Sequence, residues 1–272
     1  MLGFAKDAYG EIISFDPHKH HTILSGVTRS GKSSTMYSIL ARAATDPRVA
    51  IVGLDASGLT LAPFEDLGQS LIATGTHEPQ RYVEILENLV SFMDCRIREL
   101  RRLGLDKLTP TETTPTVLCV LEEYGGILAA CDQYDVTVKP TDRIKPRVIG
   151  AIGRIQREAE KVNLRLICSI QRPDATVLGS GAERENYSRR LTHRMSSVEG
   201  VKMLNDDITP EQISKVLTLP AGVGLLNEPA EPYRFFRSAF IIYSEYLQRI
   251  TATYQTKNQL YREIAGEISH CK

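Results

Sequence analysis

The chain has 272 residues, in which 33 lysines and arginines balance 33 aspartates and glutamates, giving a formal net charge of zero. A chain of this length buries at least one sizeable core, and the balance excludes a surface that attracts polyanions everywhere, so any nucleic-acid contact must be confined to a loop or channel. Cys95, Cys119, Cys131, Cys168 and Cys271 are odd in number and lack CxxC or Cys/His metal spacing, which predicts neither a disulfide framework nor a zinc site and favours a reducing, cytoplasmic setting. The chain opens on no basic-then-apolar leader and carries no apolar run near the ~18–20 residues that cross a bilayer. Attachment to a membrane is therefore expected only through a separate anchor protein.

In chain order, short apolar runs alternate with longer amphipathic stretches, the pattern of an α/β domain with a mostly parallel sheet. "HTILSG" from His21 reads as a buried strand and "SSTMYSILARAA" from Ser33 as a helix. "VAIVGLDA" is the next strand. In "EPQRYVEILENLVSFMDCRIRELRRLGL", Val83, Leu86, Leu89, Val90, Met93, Ile97 and Leu100 are spaced for one helix face. Arg96, Arg98, Arg101 and Arg102 close that helix where its dipole is negative, and are expected on a solvated face, with a DNA-facing or neighbour-facing patch as the alternative. "TVLCVLEE" and "LRLICSIQ" are further buried strands, "GVGLLN" and "RFFRSAFIIY" closing strands, and "SEYLQRITATYQTKNQLYREIAGEI" a C-terminal amphipathic helix. Soft segments are expected at 103–116 and 131–147.

Within the first strand–helix junction, Gly26, Val27, Thr28, Arg29, Ser30, Gly31, Lys32 and Ser33 fit GxxxxGK[ST]. A strand delivers this loop and a helix receives it, so backbone amides and the helix N-terminus face a phosphate. Gly26 to Ser34 are the candidate nucleotide-binding residues, Lys32 reaching the β- and γ-phosphates and Ser33 ligating Mg²⁺. The strand "TVLCVLEE" ends in two carboxylates. Glu122 is expected to hold Mg²⁺, and Glu123 to orient or deprotonate the attacking water. "LRLICSIQRP" ends on Gln171, an amide able to hydrogen-bond the γ-phosphate or the lytic water. No NKxD base-reading motif is present, which argues against a GTPase.

The ordered set "HHTILSGVTRSGKSS", "VGLDASG", "VLCVLEEYGGIL", "ICSIQRPDATVLGSG", "RRLTHRMSS" and "LPAGVGLL" resembles the motor domain of FtsK/SpoIIIE-type DNA translocases, over about Gly10 to Tyr243. The resemblance implies a RecA-like P-loop NTPase core in residues 1–243, followed by a helical extension in 244–272. It also implies ATP and Mg²⁺ as cofactors, a homo-oligomeric, usually hexameric ring, and double-stranded DNA as cargo. It assigns Gln171 as γ-phosphate sensor, Asp55 as the acidic end of the second strand, and Arg190 and Arg194 as arginines with a subunit-interface or trans-acting role. His21 matches the family's histidine before the first strand, with a surface position expected. Glu122 stands where the family has aspartate, and Arg157 is offset from the family's basic residue before the glutamine strand.

No membrane segment, long linker or C-terminal winged helix is found, so a bare motor in plasmid or mobile-element transfer is expected rather than chromosome segregation at a septum. Phosphate contacts to DNA are expected from Lys139, Arg143, Lys145 and Arg147, or from Arg184 in the loop after Pro173. Two alternatives stay open: a HerA-like, secretion or packaging ATPase acting on protein or single strands, and a nucleotide-binding scaffold.

Overall fold

The structure is a computed structural model. It describes residues 3–173, 175–179 and 181–271, with the side chains of 175, 176, 182, 254–260, 269 and 270 outside that description. Asp174 and Ser180 of the "ICSIQRPDATVLGSG" stretch thus lie outside the described residues.

Strands β1 (Gly3–Asp7) and β2 (Ile12–Ser14) form an antiparallel hairpin that the sequence reading had not assigned. Then β3 (Thr22–Ser25) passes through the glycine loop into α1 (Lys32–Ala43). The chain continues through β4 (Val49–Asp55), α2 (Ala62–Asp66), β5 (Ile72–Thr74) and the long α3 (Gln80–Leu103). After a loop come β6 (Thr116–Glu122), α4 (Tyr124–Asp135), α5 (Lys145–Glu158) and β7 (Leu164–Ile170). Short helices α6 (Ala175–Leu178) and α7 (Gly181–Glu185) precede β8 (Arg189–His193). The remainder is α8 (Val198–Leu204), α9 (Pro210–Leu217), β9 (Val223–Asn227), β10 (Arg234–Ser238) and α10 (Tyr243–His270).

All the strands join one sheet in the order β2-β1-β10-β9-β8-β3-β7-β6-β4-β5. From β8 to β5 neighbours are parallel, and from β8 to β2 antiparallel. The parallel half reads as unbroken apolar runs because helices cover both of its faces. Along β6, Val117, Cys119 and Leu121 enter the core under α3, α4 and α5, while Leu118 and Val120 enter the core under α1. Helix α10 contributes Tyr246 and Ile250 to the α1 side, and Tyr261, Ile264 and Ile268 to the α3 side. It therefore wraps the molecule and closes both cores. No helix among the described residues is long and apolar enough to cross a membrane.

Three expectations are corrected here. Cys95 and Cys271 form a disulfide, across a sequence separation of 176 residues; α10 carries its last turn back to α3, which no local cysteine spacing reveals. Arg96 does not lie on a solvated face: it is 4% exposed, donates at 3.0 Å to both Pro115 O and Val162 O, and covers the Phe92 ring. Its long stem crosses the core boundary to satisfy two carbonyls that helix periodicity cannot see. His21 is buried as well. Its Nδ1 accepts the amide of Leu166 at 2.9 Å, and burial pushes its pKa down to about 3.

Candidate functional site

The parallel half of the sheet sets the site, because the C-terminal ends of β3, β7 and β6 lie side by side. β3 ends at Ser25 and releases the glycine loop, β7 ends one residue before Gln171, and β6 ends at Glu122. Ligand sites in such sheets form outside these strand ends.

The loop is held from several sides. Gly26 N donates to Ile170 O at 3.3 Å, Val27 N to Arg194 O at 3.0 Å, and Gly222 N to Ser30 O at 2.8 Å. Gly31, at φ 99°, caps α1, and a Cβ there would lie 2.2 Å from Gly222 N. No other residue fits that contact or adopts that backbone without strain. The first turn of α1 then presents the amides of Lys32, Ser33 and Ser34, which have no intrahelical acceptor, at the positive end of the helix dipole. Thr28, Arg29 and Ser33 are exposed at the loop surface. Val27 spends its amide on Arg194 and braces the loop.

Lys32 is 7% exposed. Its Nζ has no hydrogen-bond partner and sits 3.8 Å from Glu123 Oε1. Glu122 is 3% exposed, with Oε2 unpartnered. Burial pushes its pKa up to about 7 against the pull of Lys32. Glu123 is left-handed (φ 56°, ψ 55°) where β6 turns into α4, a conformation that costs a non-glycine residue on the order of 1 kcal/mol. The turn aims its carboxylate at Gln171, whose Nε2 donates to Glu123 Oε1. Gln171 Oε1 in turn accepts from Thr28 Oγ1 at 3.4 Å. A cavity of about 390 Å³ opens beside them, lined by Glu123, Gly126, Gln171 and Arg172.

A buried ammonium with no hydrogen bond and only a 3.8 Å ion-pair contact, a buried carboxylate oxygen without a hydrogen-bond partner and a row of helix-terminal amides are costly unless a ligand satisfies them. This donor set fits a nucleotide phosphate with a hard cation. Lys32 and the α1 amides would hold phosphate oxygens, and the Ser33 hydroxyl with the Glu122 carboxylate would hold Mg²⁺.

The other predicted residues are engaged in other contacts, Asp55 beside Glu122 in the β4–β6 ladder. Asp55 is fully buried and accepts from Ser57 N (2.8 Å), Gly58 N (3.2 Å) and Leu61 N (2.9 Å), so it caps the loop after β4. The Arg190 guanidinium is turned into the fold, donating to Tyr187 O (3.0 Å), Leu204 O (2.8 Å) and Asp206 (2.9 Å). Arg194 supports the loop through its backbone and donates to Leu219 O at 3.4 Å. Lys145 pairs with Asp132 at 2.6 Å, Arg147 is bidentate on Glu87, and Arg184 donates to Gly179 O. Lys139 and Arg143 are exposed and have no ion-pair partner among the described residues.

Two contributors lie in segments that carry the resemblance but had no role assigned from the sequence. His193 sits under the loop, its Nδ1 donating to Val223 O at 2.9 Å and its Nε2 facing Thr35 Oγ1 at 2.9 Å. The Pro220–Gly222 turn clamps Gly31. The motif "LPAG" was the available signal for the second; the alternation of β8 gave none for the first.

Comparison with known proteins follows the same line. The FtsK/SpoIIIE family matches residues 1–167. No curated protein matches the chain. Among solved structures, the cytoplasmic domain of the type VII secretion ATPase EccC of Thermomonospora curvata is similar with a TM-score of 0.69 and 19% identity, covering 92% of this chain and 30% of its own. The pCW3 conjugation coupling protein TcpA, in its monomer form with ATPγS, gives 0.69 and 19%, covering 90% and 69%. ATPases 2 and 3 of EssC from Geobacillus thermodenitrificans give 0.70 and 13%, covering 96% and 49%. The chain thus spans less than a third of the EccC chain and about half of the EssC chain, and at these identities the likeness is one of fold.

Proposed function

The chain belongs to the FtsK/SpoIIIE family, and on that premise we propose that it is a Mg²⁺-dependent ATPase motor that moves double-stranded DNA as a ring, in transfer of plasmid or mobile-element DNA. The observation that carries the reading is the convergence of Lys32, Glu122, Glu123 and Gln171 at three adjacent strand ends, Lys32 Nζ lying 3.8 Å from Glu123 Oε1. TcpA, a conjugation coupling protein of the same fold solved with an ATP analogue, supports it.

Lys32 holds the β- and γ-phosphate oxygens and offsets the charge that builds on them. Ser33 and Glu122 would hold Mg²⁺, which would supply charge neutralisation to the phosphate. To meet the phosphate, Lys32 exchanges its contact with Glu123, and that carboxylate is left to align water and accept its proton. Gln171, bonded to Glu123 and Thr28, links the general base to the loop and registers whether the γ-phosphate is there. With the Arg190 guanidinium engaged inside its own fold, Arg194 is the remaining candidate of the two to stabilise the transition state at a neighbouring site.

ATP turnover measured with and without duplex DNA tests this function: duplex DNA raises the rate. The likeness to the type VII secretion ATPase EccC supports a protein cargo as second reading. Turnover unmoved by duplex DNA and raised by a partner protein would replace the first reading with the second.

A further inference from the structure

Phe240 is 81% exposed, an unusual position for a phenylalanine held on an ordered segment. The segment is fixed at its ends. Ala239 N donates to Phe4 O at 2.9 Å, Ile241 is buried, and Tyr243 OH donates to Leu59 O at 3.1 Å. It is also fixed in the middle by the phosphate loop itself: Ser34 Oγ donates to Ala239 O at 3.4 Å and accepts from Ile241 N at 3.2 Å. Phe240 is therefore carried at the first turn of α1, between two residues that both bond Ser34. Ile242, 51% exposed, follows on the same segment, and Leu59, 56% exposed, is the residue whose carbonyl Tyr243 reaches.

Topology gives this position a direction. Glu123 and Gln171 follow β6 and β7, on one flank of β3. The segment 239–242 continues β10, on the other flank, with β8 and β9 between. A triphosphate whose terminal group lies at Lys32 and Glu123 runs along the α1 amides past Ser33 and Ser34, so the group beyond its first phosphate emerges beside Phe240. A flat, partly apolar group is what an exposed aromatic face recognises there.

We propose that Phe240 is the nucleobase platform of this site, stacking on the base while Ile242 extends the apolar shelf beside it. The proposal rests on the nucleotide reading given above. Neither side chain bears a donor or acceptor, so the platform favours a base over no base and discriminates poorly between adenine and guanine.

Calorimetric titration with Mg-ATP, Mg-GTP and inorganic tripolyphosphate, on the wild-type chain and on F240A, F240W and K32A, tests it. The wild type should bind ATP and GTP within a few-fold of each other, and both more tightly than tripolyphosphate. Phe240→Ala should weaken ATP by about 10-fold, the scale of one lost base–aromatic stack, and leave tripolyphosphate unchanged; Phe240→Trp should retain ATP. An equal loss of tripolyphosphate in F240A would overturn the platform in favour of a merely structural role. Unchanged ATP affinity in F240A with binding abolished in K32A would overturn the platform and leave the nucleotide reading standing. ATP affinity unmoved by either substitution would overturn both.

Discussion

His193 shows how much of this site is built from residues that never meet the ligand. A backbone carbonyl can only accept, so Nδ1 carries the proton that goes to Val223 O, and Nε2 accepts the hydroxyl proton of Thr35. Burial holds its pKa down to about 4, as it holds that of His21 down to about 3. Both lie below the ordinary value near 6.5, so between about pH 4 and 6.5 the unfolded chain binds more protons than the folded one. The stability present above pH 6.5 is therefore lost as pH falls, by up to about 1.4 kcal/mol per pH unit for each ring. Urea midpoints measured from pH 7.5 to 4.5 should fall, and His193→Gln, which cannot charge, should flatten the fall; an unchanged slope would remove His193 from this account. Glu123 carries the complementary prediction. Replacing it by glutamine should cut turnover by roughly two orders of magnitude or more and leave ATP binding intact, whereas unaltered turnover would strip it of the general-base role. Lys32 was legible from the glycine loop between a strand and a helix, and Glu122, Glu123 and Gln171 because they follow apolar runs at strand ends. His193 and Arg96 were not, because their partners are carbonyls distant in sequence, and a buried polar side chain has no periodicity of its own.

At the level of elements, legibility followed hydrophobic contrast. β3, β4, β6 and β7 are fully buried and read as apolar runs, and α3 carried a clean helical stripe. The β1–β2 hairpin escaped because it is short, its turn carries Tyr9 and its second strand opens on Ile12, 92% and 68% exposed, which blur the alternation. α10 was legible as a helix, but its route was not. Apolar residues on its two ends enter different cores, and its C-terminus is fastened by the Cys95–Cys271 bond. Closing so long a loop restrains the unfolded chain, which for native disulfides contributes about 2–5 kcal/mol. Reductant should lower the denaturant midpoint of the wild type, and Cys271→Ser should match the reduced wild type and ignore reductant. Equal midpoints under oxidising and reducing conditions would show that packing alone holds α10. Cys119, Cys131 and Cys168 are buried, so thiol reagents should reach them only on unfolding.

Scaled to the whole molecule, the zero net charge makes the DNA reading a question of where the free positive charge lies. If the site is completed by a neighbouring subunit's arginine, dilution below the assembly threshold lowers ATP turnover per chain; constant specific activity across that range would mean the site is complete in one subunit. The loop between α4 and α5 separates contact from bystander. Lys139 and Arg143 are exposed and without ion-pair partners among the described residues, whereas Arg147, two residues into α5, is locked onto Glu87 by bonds of 2.9 and 2.8 Å. A residue that neutralises a DNA phosphate releases about one counterion, so removing it shallows the dependence of log affinity on log salt by about 0.9. Arg143→Ala and Arg147→Ala remove the same formal charge from neighbouring positions. If this loop meets the DNA backbone, Arg143→Ala shallows the slope by about one, the double replacement with Lys139→Ala by about two, and Arg147→Ala leaves it near the wild-type value. Equal slopes in all of these variants would move the DNA contact to another face, and equal shifts for Arg143 and Arg147 would mean that the protein's overall charge, and not this loop, sets the affinity.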